Sequence, residues 1–490
     1  MSHNINLKDI FIRNWNDIFI IDSTTDKNYT YGQFLSMVYH CKQNLKSLGI
    51  SKNQTVCVIH PNSFSLIILY FALLLLNVTV ATIDPKKGHR LIIENINQVK
   101  PVCIFSTENF LYDFAPIHNI KKIMDSCNDV SLNISSLATL FDDVDYDYVF
   151  LITFTSGSTG KPKGVMNSLN NFLSSSLAFK QKFNFSKKNI FYHNLPMSYI
   201  GGILNQLFLP LVSEGTLVLG KSFEVSQIFD FWTIPIKYSV NTFWFIPTML
   251  GLLLKLDRGT NGIDYCKSNN VIGLVGMAPL RVQLKNDFQF KYLMNLYESY
   301  ALSETFFLST NYQNNDLADS VGKPLDGVDI IFSSDNEILV KPSWEIFGYI
   351  ELDNKHYFIN NFFKTGDVGY MDSKGFLHIT DRKKDLIIRG GLNISPRTIE
   401  NFLREKNFFE DAIVFGVEDS YIGEKTVCAY VNSMSSRKLL NEINTSIINT
   451  LGSDYKIDDF YLLEEIPRTS TGKINKIRAK ELYLNFNSTN

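Results

Sequence analysis

The sequence predicts an α/β protein, with a large N-terminal domain of mainly parallel sheets flanked by helices and a small α+β C-terminal domain. Three observations carry this reading. Strand-like and helix-like stretches alternate through most of the chain, as βαβ units do. Near residue 380 the texture changes, where Asp381-Arg382-Lys383-Lys384-Asp385 packs five charges between apolar blocks. The residues beyond hold strand-like runs at 412–416 and 426–431 and a helix-like run at 439–451, enough for a small domain of its own. The boundary is therefore expected at Asp381/Arg382, giving domains 1–381 and 382–490.

Taken in order, Thr30-Tyr31-Gly32-Gln33 fits a capping box, and Phe34, Leu35, Val38, Cys41, Leu45 and Leu48 then recur at helical spacing until Gly49. A strand-like run follows at 56–59. Residues 64–83 carry no charge over a length that could span a bilayer. Their apolar density is confined to 66–76, however, and Asn77, Thr79 and Thr82 follow, so the reading is a buried helix of about three turns and then a strand. Stretches 195–219, 242–256 and 271–280 are again mixed strand and helix with Gly or Pro punctuation. The acidic run Asp142, Asp143, Asp145 and Asp147 reads as a solvated connection.

A chain of 490 residues, 45% hydrophobic and 20% charged, has ample material for a large core. A net charge of −2 gives no electrostatic reason to expect nucleic acid or an anionic membrane as partner. The six cysteines form no CxxC pair, which suggests neither a zinc site nor a disulfide framework, and reduced thiols fit a cytoplasmic protein. The N-terminus lacks the basic-then-apolar build of a signal peptide.

Chemistry first shows at Phe154-Thr155-Ser156-Gly157-Ser158-Thr159-Gly160-Lys161-Pro162-Lys163-Gly164-Val165. This run follows an apolar strand-like stretch at 148–152, so its backbone N–H groups, hydroxyls and ammonium groups can close around phosphate oxygens. A Walker A loop is excluded, because Thr155 stands where its first glycine would be and Pro162 where its Ser/Thr would be.

Four later stretches follow in order: Tyr300-Ala301-Leu302-Ser303-Glu304-Thr305, Thr365-Gly366-Asp367, Arg382-Lys383-Lys384-Asp385 and Pro467-Arg468-Thr469-Ser470-Thr471-Gly472-Lys473. With the loop they resemble the YGxTE, TGD, RxKD and PRTxTGK motifs of the adenylate-forming superfamily, which includes acyl-CoA synthetases, nonribosomal-peptide adenylation domains and luciferases. The resemblance covers residues 28–480. It implies that a carboxylate attacks the α-phosphate of ATP, giving acyl-AMP and pyrophosphate, and that the acyl group then passes to a thiol, coenzyme A or the phosphopantetheine of a separate carrier protein.

The resemblance also implies roles. Thr155, Ser156, Gly157, Ser158, Thr159, Gly160 and Lys163 would cradle phosphate, with Thr155 also catalytic. Glu304 would ligate Mg²⁺, Tyr300 would stack near adenine, and Ser303 would contact phosphate. Gly276, Ala278 and Pro279 would join the nucleotide contacts, and Asp367 and Arg382 would hold the ribose. Lys473 would reach in from the mobile small domain to stabilise charge at the α-phosphate, and Lys384 would be the hinge on which that domain turns. The turn at Gly390-Gly391 would face the incoming thiol. Tyr199, Gly201, Gly202, Phe243, Phe245 and Met277 would form the acid pocket.

Departures from the motifs are Ala301 and Asp381, each for glycine, Met277 within a GGAPL-like turn, and Tyr199 where many relatives have His. No Asp or Glu lies between His193 and Ser213 to pair an α-ammonium, so a fatty or aryl acid is expected over an amino acid. A carrier-loading ligase, a luciferase-like oxidoreductase and a nucleotide-binding protein without catalysis stay open as alternatives. No carrier domain follows residue 480, so a carrier protein would be a separate chain.

Overall fold

The alternation seen in the sequence becomes two sheets of parallel strands in the first part of the chain. The molecule is described from a computed structural model over residues 5–107, 115–124, 132, 134, 139–155, 162–312, 316–317, 319–350, 352–389, 392–419, 421–431, 437–468 and 474–489. Packing divides the chain into two units, Met1–Asp329 with Val340–Phe363, and Ile330–Leu339 with Lys364–Asn490. The boundary expected at Asp381/Arg382 lies inside the second unit. There Leu377–Arg382 pairs antiparallel with Phe362–Met371, setting Asp367 opposite Arg382, so those charges close a hairpin.

In the first unit a six-stranded sheet runs in the order Ile117–Asn119, Cys103–Ser106, Thr55–Ile59, Thr79–Ile83, Val149–Thr155, Lys163–Ser168. All its pairings are parallel except the last. A nine-stranded sheet has six parallel strands at its centre: Asn295–Leu302, Ile272–Val275, Thr242–Phe245, Ile190–His193, Thr216–Leu219 and Ile18–Asp22. Antiparallel strands Phe306–Thr310, Lys323–Pro324 and Lys27–Thr30 complete its edges. Ligands of such sheets gather at the C-terminal ends of the parallel strands. Here those ends include Thr155, His193, Phe245, Val275 and Leu302.

The charge-free stretch is a helix, Phe64–Leu74, followed by the strand Thr79–Ile83. Every helix residue except Ser65 is buried, as expected of a helix that is apolar all round, and each such Leu, Ile or Phe contributes about 1.5–3 kcal/mol. Its one phenol is satisfied: Tyr70 donates to Met197 O (3.2 Å) and shares a hydrogen bond with Thr82 Oγ1 (2.8 Å). Among the described residues no helix is long and apolar enough to cross a membrane.

The second unit holds a sheet in the order Leu392–Ile394, Ile387–Arg389, Gly423–Val431, Asp411–Asp419, with Asp459–Leu462 parallel to Gly423–Val431. Alternation serves both faces of this sheet. Val414, Cys428 and Tyr430 pack with Ile399, Phe402, Ile443 and Ile447 of helices Pro396–Glu405 and Arg437–Leu451. Ile413, Phe415 and Val427 pack with Ala479 and Tyr483 of Lys476–Thr489.

The capping box forms as read. Thr30 Oγ1 accepts from Gln33 N (3.1 Å) and Gln33 Oε1 from Thr30 N (2.9 Å), opening the helix Tyr31–Ser47. Thr30→Ala strands an N–H at that end and is expected to cost about 1 kcal/mol, read as a lowered denaturation midpoint with unchanged slope.

Candidate functional site

Two hairpins at the strand ends carry the polar groups of the site in the first unit. In one, Val149–Thr155 returns as Lys163–Ser168, and the register sets Thr155 opposite Lys163. The sequence suggests a strand running into a loop; the structure makes Lys163 the first residue of a second strand. Ser156, Gly157, Ser158, Thr159 and Gly160 lie outside the described residues. The Lys163 ammonium donates to the Tyr357 hydroxyl at 2.9 Å and stands 5.0 Å from the Tyr349 ring centre and 4.9 Å from that of Tyr357. Facing rings attract a cation electrostatically.

The other hairpin joins Asn295–Leu302 to Phe306–Thr310 through the turn Ser303-Glu304-Thr305. Its tip is tied at three points. Asn167 Nδ2 donates to Ser303 O (3.1 Å), Trp344 Nε1 to Thr305 O (2.9 Å), and the Tyr349 hydroxyl to Glu304 Oε1 (2.7 Å). Tyr300 sits on the strand leading to this turn and is almost fully buried. The structure therefore brings Thr155, Lys163, Ser303 and Glu304 to neighbouring, mutually bonded hairpins. Among the described residues no cluster of three His, Cys, Asp or Glu is arranged to hold a metal ion. One hard carboxylate fits Mg²⁺, an ion that keeps waters and is bound largely through substrate phosphates.

Among the residues expected to line the acid pocket, small and soft groups meet. A Cβ placed on Gly201 would stand 2.9 Å from Met277 Sδ and 3.3 Å from Tyr199 Cε1, so these three pocket candidates are in contact. Met277 adopts φ +70°, a left-handed torsion that costs a non-glycine residue about 1–2 kcal/mol. Gly276 backs this turn, where a Cβ would lie 3.2 Å from Ser299 Oγ. Ala278 is half-buried and Pro279 exposed.

Gly202 does something else. A Cβ there would fall 2.1 Å from Pro196 O, so this glycine lets the helical segment approach the preceding loop backbone and offers no room to a ligand. Phe243 and Phe245 also belong elsewhere: at 1% and 0% exposure they stack on each other and pack against Phe231. The side chains of Asn62 and Gln206 fix the loop before Tyr199. Gln206 Oε1 accepts from Asn194 N and Leu195 N, and Asn62 Oδ1 from Met197 N. Burial pushes neighbouring His193 down to about 4, so its ring is neutral.

In the second unit the two ribose candidates are bonded to each other. Arg382 Nε meets Asp367 Oδ1 at 2.7 Å, and Asp367 is 3% exposed. Gly366, at φ +70°, donates its N–H to Glu337 Oε1 (3.1 Å), and Lys383 bridges Glu337 and Asp335 at 2.7 Å each. Lys384 is exposed in the turn Lys383–Asp385. Asp381, a glycine in the motif, accepts from Ser395 Oγ (2.6 Å) and Arg397 N (3.1 Å) at the start of helix Pro396–Glu405. Lys473, Gly390 and Gly391 lie outside the described residues.

Sequence reasoning missed Tyr349, Tyr357, Asn167, Asn62 and Gln206. All but Gln206, which reaches back 11–12 residues, act across a long chain separation, and none carries a local pattern. The one usable signal was Gly348 before Tyr349, whose φ of +76° marks a tight turn.

The sequence profile of the AMP-binding enzyme family matches residues 12–353, and that of the AMP-binding enzyme C-terminal domain residues 398–473. A 2-succinylbenzoate–CoA ligase of Staphylococcus epidermidis is 29% identical, over 92% of this chain and 94% of the relative. One from Bacillus velezensis is 30% identical, over 69% and 70%. Two solved structures share the fold at a TM-score of 0.82. The ATP-bound MatB of Rhodopseudomonas palustris does so at 20% identity with 98% of both chains covered. The o-succinylbenzoate CoA synthetase of Bacillus subtilis, in complex with its acyl-adenylate intermediate, does so at 22% with 97% of both covered.

Because glycine holds φ +70° without cost, Met277→Gly removes strain while it removes a half-buried side chain. The variant is expected to melt at or above the parent temperature; a drop of the size usual for truncating a packed methionine, about 2 kcal/mol or more, would contradict the strain.

Proposed function

The chain belongs to the AMP-binding enzyme family, and we propose that its acid is an aryl acid of the 2-succinylbenzoate kind. The protein is an AMP-forming acid–thiol ligase: it joins a carboxylic acid to AMP with release of pyrophosphate, then passes the acyl group to coenzyme A. The observation that carries the reading of its site is the meeting of Thr155, Lys163, Ser303 and Glu304 on two bonded hairpins.

The two hairpins supply what the first step asks for. Negative charge builds around the α-phosphorus as the carboxylate attacks, and preorganised donors lower that barrier most where water is excluded. We assign the Thr155 and Ser303 hydroxyls and the Lys163 ammonium to phosphate oxygens. Glu304 would hold Mg²⁺, which neutralises phosphate charge when bound. We assign Asp367, held by Arg382, to accepting hydrogen bonds from ribose hydroxyls. Lys473 is assigned to the charge that appears in the transition state of adenylation, and Lys384 to the hinge.

The relatives' names supply the acid. The wall of Tyr199, Gly201 and Met277 supports it, because a thioether and a ring make a soft bed for an aromatic face. The five described cysteines are buried thiols outside any disulfide, in keeping with a cytoplasmic location.

Acid-dependent ATP–pyrophosphate exchange over aryl acids with and without a second carboxylate, fatty acids and amino acids tests this. Exchange is expected to be greatest with 2-succinylbenzoate and to be followed by a coenzyme A thioester. A clear preference for a fatty acid would overturn the acid, and exchange without transfer to coenzyme A would favour a carrier protein. Lys473→Ala is expected to slow adenylation by about 10²–10³-fold while sparing thioester formation from supplied acyl adenylate. Equal loss in both steps would remove Lys473 from its assigned role.

A further inference from the structure

We propose that Tyr349 is a positioning residue that orients both Lys163 and Glu304, its ring holding the ammonium and its hydroxyl the carboxylate. The proposal rests on the phosphate and metal roles assigned above to those two residues.

The geometry is specific. The Tyr349 hydroxyl donates to Glu304 Oε1 at 2.7 Å, which leaves Oε2 unengaged by this bond and fixes the carboxylate plane. The Lys163 ammonium lies 5.0 Å from the centre of the same ring and 4.9 Å from that of Tyr357, whose ring packs edge-on against Tyr349 with centres 4.6 Å apart and planes tilted 62°. Among the described residues Lys163 makes no ion pair. Two neutral rings and a phenol hold it instead, and such partners leave its charge intact for a phosphate.

Tyr349 is itself built in. It is 8% exposed, and its backbone is fastened on both sides. Met166 N donates to Gly348 O (3.0 Å) and Ile350 N to Gly164 O (2.9 Å), a short antiparallel bridge to the strand that begins at Lys163. Asn354 Oδ1 accepts from Tyr349 N (2.9 Å), and Asn354 Nδ2 donates to Tyr349 O (3.1 Å). Lys163 and Glu304 thus each take a neutral contact from the same side chain. Held by a phenol and not by an opposite charge, the ammonium is oriented for phosphate and the carboxylate for metal.

The test is ATP binding by calorimetry, without acid so that no turnover occurs, across a Mg²⁺ series and in chelator. Tyr349→Phe keeps the ring and removes the hydroxyl. It is expected to raise the half-saturating Mg²⁺ concentration about tenfold, the weight of one hydrogen bond to a charged group, with metal-free ATP binding and the melting temperature unchanged. Tyr357→Phe leaves Glu304 untouched and is expected to keep the parent's Mg²⁺ dependence while altering metal-free ATP affinity. Parent-like Mg²⁺ dependence in Tyr349→Phe would overturn the proposal, as would equal loss of ATP binding with and without Mg²⁺. A parent protein that binds no ATP would instead bring down the assigned phosphate roles.

Discussion

The strand Lys163–Ser168 is hydrogen-bonded along both edges, and the arrangement of the site follows from that. One edge pairs with Val149–Thr155, which belongs to the parallel core of its sheet. The other receives Gly348 and Ile350 from a segment nearly two hundred residues later. A strand held on one side can fray or twist away, whereas one held on both has its first residue fixed in place. Lys163 is that residue, and the second edge is what brings Tyr349 to it.

The charged candidates of the site are held differently in the two units. In the first, Lys163 and Glu304 are held by neutral phenols; in the second, Asp367 and Arg382 pair directly, and Lys383 spans two carboxylates. Direct pairing suits a group whose task is to present a fixed hydrogen-bonding edge, since the partner also prevents an almost fully buried carboxylate from standing uncompensated. Neutral holding suits groups that must take up a highly charged ligand, because only weak contacts have to be exchanged for strong ones.

Much of this was legible in the chain. The capping box at Thr30, the apolar helix before Thr79 and the paired strands of the second unit are local patterns, and local patterns survive folding when the core demands the same thing. The five motif stretches were legible for the same reason. The boundary was not: five adjacent charges look like a linker, but Asp381 caps a helix and Arg382 meets Asp367, and both partners are distant in sequence. Aromatic residues in the pocket region misled in the same way. Phe243 and Phe245 read as lining, yet alternation along their strand turns both to the ring cluster around Phe231.

Gly202 carries a lesson for anyone who would reshape the acid specificity. Its Cα lies against the Pro196 carbonyl, so any side chain there would push the backbone of the loop that ends in Tyr199. The phenylalanines are committed to the core, and Gly201 is already covered by the Met277 thioether. Of the six residues expected to line the pocket, that leaves Met277 and Tyr199 as the ones whose side chains can be exchanged without disturbing the core or the loop backbone. A designer's library is small, and it begins with a methionine standing in a torsion that suits glycine better.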